Sequence, residues 1–246
     1  MKNKILNVCC VLLLGVIVIS CYNYDGASRE FIVPEGIVLN NTEYSAIEAN
    51  WKVLEIPLDS DTLGSAEFVT NAPQGGGEAI KLNMRISVTS VKKLPRNYRL
   101  EFKFLLENNN GWFGVRPTDE KGPYYQAERN EYHSACFGFA PVFFYKGTDG
   151  WTQAQGNGYG FTAGDFGSWE LGEKPTGNNK SFTPNTWYTV VIQSIMGSHK
   201  MTVTFNNNVI EEFSFASPQN SAAQYLSFAT GTWGGAASMF IKDIKF

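Results

Sequence analysis

The chain has 246 residues, a formal net charge of −3, and 43% hydrophobic, 14% aromatic and 17% charged residues. So much apolar material excludes a disordered polymer, and the acidic balance argues against nucleic acid as a partner, which calls for a basic patch or stripe. Gly and Asn are abundant, and aromatic and β-branched runs lie between breaks without strong helical periodicity. That pattern predicts an all-β chain of many strands and tight turns.

In chain order, Lys2 and Lys4 come first, followed by an apolar run over 8–19 and then Ser20-Cys21. A basic start, a short apolar core and a small residue before the cut make an export signal. The run falls short of the roughly 20 apolar residues that span a bilayer. Cys21 directly after the small residue resembles the bacterial lipobox, in which cleavage leaves a cysteine that carries diacylglycerol. The expected organisation is a signal peptide over 1–20, a tether over 21–28 and one domain over 29–246. Loss of the leader removes Lys2 and Lys4 and takes the formal charge from −3 to −5. Cys9 and Cys10 leave with it and Cys21 is acylated, so Cys136 remains alone and no intrachain disulfide is expected. Within its apolar run Cys136 reads as a small buried hydrophobe. Tyr22, rather than Asp, follows the lipidation site, which points to the outer membrane.

The clearest period lies over 80–89, where Ile80, Leu82, Met84, Ile86 and Val88 alternate with polar side chains. Such a strand buries one face and wets the other. Tyr98, Leu100, Phe102 and Phe104 repeat the pattern after a turn at Pro95-Arg96-Asn97. Residues 108–179 differ, with Gly, Asn and Asp clusters, many aromatics and short strand-like pieces, the composition of functional loops. Clean strands return over 187–195, 201–205, 209–215, 225–230 and 239–246, with Asn206-Asn207-Asn208 making a hairpin turn. Asn suits it because it tolerates the left-handed conformation.

The closing strands carry a family resemblance. Thr186-Trp187-Tyr188-Thr189-Val190-Val191-Ile192, then Met201-Thr202-Val203-Thr204-Phe205-Asn206-Asn207-Asn208-Val209-Ile210, then Phe240-Ile241-Lys242-Asp243-Ile244-Lys245-Phe246 resemble the end of concanavalin A-like jelly rolls, laminin-G-like modules included. Asn208 stands where that family usually has Gly. The resemblance implies a two-sheet antiparallel jelly-roll sandwich with long loops over a concave face. A looser similarity is to the keto-disaccharide hydrolase-like domains of Bacteroidetes lipoproteins. It rests on Tyr98-Arg99-Leu100-Glu101-Phe102-Lys103-Phe104 and Asn109-Asn110-Gly111-Trp112-Phe113-Gly114-Val115-Arg116. It implies that Arg116 is a cleft arginine. Tyr124-Tyr125-Gln126-Ala127-Glu128 stands in place of that family's Tyr-Glu-x-Gln strand.

Catalytic carboxylates should come as a pair flanking the scissile bond, but the Glu-x-Asp-x-x-Glu string of jelly-roll glucanases is absent from this sequence. Glu128 and Glu131 lie three apart, which on a strand means opposite faces. His133, close to Glu131, is the better placed of the two histidines for acid/base work, and His199 reads as an exposed turn residue. No transition-metal spacing occurs, whereas a structural calcium on loop carboxylates such as Asp149 or Asp165 suits a jelly roll. The aromatics Trp112, Tyr124, Tyr125, Trp151 and Trp169 sit among Gln153, Gln155, Asn157, Arg116 and Glu128. Rings can stack on the C–H faces of sugars while amides and guanidinium groups take the hydroxyls. Trp187, at the start of a regular strand, reads as core filling, and Gly75-Gly76-Gly77 as a flexible turn rather than a phosphate cradle. The leading expectation is an exported lipoprotein that binds oligo- or polysaccharide. The alternatives are a glycoside hydrolase using Glu128, Glu131 or His133, and an adhesion module.

Overall fold

The computed structural model describes residues 31–39, 41–55, 64–84, 86–108, 112–118, 120, 125–126, 131–132, 142–146, 158–162, 183–195, 198–216, 224–231 and 238–246. After a short 3-10 turn at Glu48–Asn50, the strands are β1 (Trp51–Glu55), β2 (Ser65–Val69), β3 (Ala79–Asn83), β4 (Ile86–Lys93), β5 (Tyr98–Leu106), β6 (Trp112–Thr118), β7 (Tyr125–Gln126) and β8 (Glu131–Tyr132). They continue with β9 (Val142–Lys146), β10 (Gly158–Thr162), β11 (Trp187–Ile195), β12 (Ser198–Phe205), β13 (Asn208–Ala216), β14 (Tyr225–Gly231) and β15 (Ser238–Lys245). A six-stranded sheet has the order β1-β4-β14-β6-β9-β10, a seven-stranded sheet the order β13-β12-β11-β5-β15-β3-β2, and β7 pairs with β8 alone. The two large sheets are antiparallel throughout and pack face to face as a sandwich around one core.

Alternation along the strands builds the core between them. Leu100, Phe102 and Phe104 from β5 and Ile80 and Leu82 from β3 face Val88, Val115 and Phe228 of the other sheet. Val88, Phe228 and Val115 stand side by side in one row across β4, β14 and β6. The Phe102 and Phe228 rings meet edge to face at 5.1 Å, joining the sheets. Each fully buried side chain of this size stabilises the fold by about 1.5–3 kcal/mol.

One end of the core is closed by an aromatic set that the sequence pattern did not single out. Tyr44 packs on Trp51 at 5.2 Å and on Phe246 at 4.8 Å, and Trp51 reaches Phe228 at 5.6 Å. Their polar atoms are satisfied, as buried ones must be. The Tyr44 hydroxyl donates to the Asn50 carbonyl at 2.6 Å and accepts from the Lys92 N–H, and Trp51 Nε1 donates to the Ser45 carbonyl at 3.1 Å.

Several expectations are corrected. The run over 80–89 is two strands, not one, broken at Met84, whose φ is 61°. Its halves join opposite sheets, yet Ile80, Leu82, Ile86 and Val88 all face the same core. Alternation persists because the chain folds over around the core rather than running straight through it. The turn at Pro95-Arg96-Asn97 likewise joins β4 and β5 of different sheets. The hairpin turn is Asn206-Asn207 alone, with φ of 49° and 61°. Asn208 already pairs with Phe205. His199 belongs to strand β12 opposite Ser194, not to a turn.

Trp187 is structural but does not lie between the sheets. It packs on the outer face of the seven-stranded sheet against Ala72, Ala79, Leu105 and Phe240. Its Nε1 donates to the Pro73 carbonyl at 3.0 Å, and Lys242 Nζ sits 4.4 Å from a ring centroid. The ring thereby clasps the Gly75-Gly76-Gly77 segment, where φ is 140°, 64° and 91°. Those angles lie where side-chain-bearing residues are strained, which is why glycine occupies them. The rest of this face carries ion pairs, including Lys81 with Glu107, Arg99 with Glu101, and Lys103 with Asp243.

Candidate functional site

The outer face of the six-stranded sheet is unlike that of its partner. Opposite the core row on β4, β14 and β6 lie Ser87, Thr89, Ser227, Ala229, Gly114 and Thr118. All are buried although they point away from the hydrophobic core. Small side chains keep this floor low, and three hydroxyls tie its strands together. Ser227 Oγ lies 2.6 Å from Thr89 Oγ1 and 2.7 Å from Thr118 Oγ1. Buried from water, such hydroxyl bonds are electrostatically stronger than exposed ones.

The rim at one end of the floor is pinned by backbone bonds. Leu94 N–H donates to the Gln224 carbonyl at 2.7 Å, and Gln224 N–H to the Thr118 carbonyl at 2.9 Å. A register shift between Tyr225 and Ser227 is absorbed by Ser90, whose Oγ accepts from Leu226 N–H at 3.0 Å and donates to the Lys92 carbonyl at 2.7 Å. Tyr225 is therefore fixed between Lys93 on β4 and Thr118 on β6. It is half-buried, and Lys93 Nζ lies 5.8 Å from its ring centroid.

Two of the residues expected from sequence fall on this same face. Arg116 occupies the position opposite Ser227 on β6, and Trp112 the position opposite Gly231 at the other end of that strand. Trp112 is also paired with Lys146 of β9. The backbone of Tyr125 and Glu131 lies in the small β7-β8 ribbon, opposite Tyr132 and Gln126 respectively. Cys21, Tyr124, Glu128, His133, Trp151, Gln153 and Trp169 lie outside the described residues, as do Cys136, Asp149, Gln155, Asn157 and Asp165. Among the described residues no three His, Cys, Asp or Glu side chains gather to hold a metal. No helix among them is long and apolar enough to cross a membrane.

Sequence reasoning missed Tyr225, Lys93 and the hydroxyl trio. The alternation of Thr89 with Val88 was legible. It read as an ordinary wet face, because nothing local says that this face is buried. Tyr225 read only as the start of a strand.

No family model matches the chain, and no curated protein matches it. Solved structures are similar in fold. The lectin I-B4 of Griffonia simplicifolia, in metal-free form, is 12% identical over 83% of this chain and 98% of its own, with a TM-score of 0.45. A Parabacteroides distasonis protein, provisionally described as a glycosyl hydrolase, is 13% identical over 73% of this chain and 86% of its own, with a TM-score of 0.43. The exoplasmic/lumenal domain of VIP36, bound to Ca2+ and Man3GlcNAc, is 10% identical over 80% of this chain and 86% of its own, with a TM-score of 0.49.

Proposed function

We propose that this protein is an exported lipoprotein, anchored through Cys21 in the outer membrane, that binds glycans on the outer face of its six-stranded sheet. The observation that carries the reading is register. The arginine and one tryptophan chosen from sequence as sugar-binding residues, Arg116 and Trp112, occupy positions on the same face of β6. The half-buried Tyr225 ring lies on that face, and the solvent-excluded hydroxyl trio fixes the strands that carry it. Aromatic rings that stack on sugar C–H faces, beside groups that hydrogen-bond hydroxyls, make the mixed apolar and polar surface that ligand sites use. In this reading Tyr124, Tyr125, Trp151, Gln153 and Trp169 complete the platform. A structural calcium ion on Asp149 or Asp165 belongs to the same reading.

A glycan-array screen of the chain tests this, repeated with Arg116→Ala, Trp112→Ala, Trp151→Ala and Trp169→Ala. Retention of a defined glycan, with at least about a tenfold loss in Arg116→Ala or Trp112→Ala, supports the reading. An array on which nothing is retained overturns it. The hydrolase alternative predicts that the retained glycan is shortened on incubation, and that Glu128→Gln, Glu131→Gln or His133→Ala stops the shortening. The anchor predicts that cells making Cys21→Ala release the protein from their membrane fraction.

A further inference from the structure

Lys93 differs from several lysines of the described strands in what surrounds it. Lys81, Lys103, Lys200 and Lys245 each have a carboxylate within ion-pairing distance. Lys242 is folded onto Trp187 and the Gly76 carbonyl. Lys93 is exposed and, among the described residues, faces no carboxylate; its contact is the Tyr225 ring. Its neighbour Lys92, also exposed, lies over Phe246 in the same way, 5.4 Å from the ring centroid. Among the described residues, then, these two successive ammonium groups face no anion, in a chain whose formal net charge is −3.

Position gives the lysine a direction. Lys93, Tyr225 and Thr118 form one cross-strand row. Ser227 and Arg116 form the neighbouring row on the same face. A ring able to stack on a sugar therefore lies beside one cation and within a row of a second cationic residue. An exposed ammonium over a ring gains only about 0.5–1 kcal/mol, so the Lys93 ammonium is free to turn to a better partner. A neutral saccharide offers it none. A carboxylate or sulfate on the stacked sugar does, through a charge-assisted hydrogen bond.

We propose that the glycan taken by this face is acidic, with Tyr225 stacking on a sugar ring and Lys93 pairing with the anionic group that the sugar carries. The inference rests on the glycan-binding reading above and narrows it to a substrate class. Two sources of the anion are distinguished by two matched pairs: an oligogalacturonide against its methyl ester, and a sulfated galactan against its desulfated form. Binding to the full chain is measured by calorimetry at low and at raised salt.

The charged member of one pair should bind about tenfold tighter at low salt, with the advantage shrinking as salt screens it. Lys93→Gln should remove that advantage and leave the neutral member's affinity in place. Tyr225→Ala should weaken both members, with Tyr225→Phe restoring them, since the ring and not the hydroxyl stacks. Equal binding of charged and neutral members, or an advantage that survives Lys93→Gln, overturns the inference while leaving glycan binding standing. Failure of every glycan, acidic and neutral, overturns the glycan reading itself.

Discussion

Ser227 is the centre of the hydroxyl trio, and its removal should be out of proportion to its size. Ser227→Ala deletes the 2.6 Å bond to Thr89 and the 2.7 Å bond to Thr118. Two net hydrogen bonds are worth about 0.5–1.5 kcal/mol each, and stranding a buried hydroxyl adds about 1 kcal/mol or more. Both threonines are buried to within 1% of full exclusion, so water cannot take the place of the serine without the sheet opening. The expected loss is about 2–4 kcal/mol, read as a fall in urea midpoint at unchanged slope. For a chain of this size about 3 kcal/mol corresponds to a melting point lower by about 6–12 °C. The triple variant Thr89→Val, Thr118→Val, Ser227→Ala makes the sharper measurement. Replacing every partner by an apolar group of similar shape leaves nothing unsatisfied, so it should return to within about 1 kcal/mol of the parent. A triple variant at least as unstable as the sum of its single changes would refute the reasoning, because the trio would then not act as one network.

Other expectations follow from the strands and the opposite sheet. Trp187→Ala should cost about 2–3 kcal/mol in urea unfolding, less than a fully buried tryptophan because the ring is half-buried, and should expose residues 71–77 to proteolysis. Lys242→Ala should do the same more weakly. Asn207→Gly should raise stability by about 0.5–1 kcal/mol, since a two-residue hairpin with positive φ at both positions favours Asn-Gly, and Asn207→Val should lower it. Burial alone would raise the carboxyl pKa of Glu101, but the hydrogen bond and charge of Arg99, with Lys245 beyond, outweigh it and hold the group below its ordinary 4.5. With the folded value depressed, the group's contribution to stability is present above pH 4.5 and is lost as pH falls through the folded value. Glu101→Gln should therefore flatten the acid limb of stability against pH, measured by urea unfolding at several pH values below 5, and leave an unchanged profile only if the pairing is inert.

The sequence alone determined which residues face in and which face out along most strands. Side-chain direction has period two whatever the strand pairs with. Leu100, Phe102 and Phe104 were legible as a buried row, and the double Asn as a hairpin turn, because both are local matters of pleat and φ. Sheet membership was not legible. The even spacing of Ile80 to Val88 is the same for one straight strand and for two strands folded about a core, and only the positive φ at Met84 and non-local pairing decided between them. For the same reason Trp187 was recognised as structural and assigned to the wrong side of its sheet. The candidate site depended most on tertiary structure. Thr89, Thr118 and Ser227 are as far apart as 138 residues in sequence. Each is an unremarkable polar residue of a strand until β14 runs between β4 and β6 and brings them within hydrogen-bonding distance. Tyr225 and Lys93 meet by the same pairing. Pattern fixes the face of a strand, but neighbours are chosen by the closure of distant segments, which one sequence does not encode in any local window.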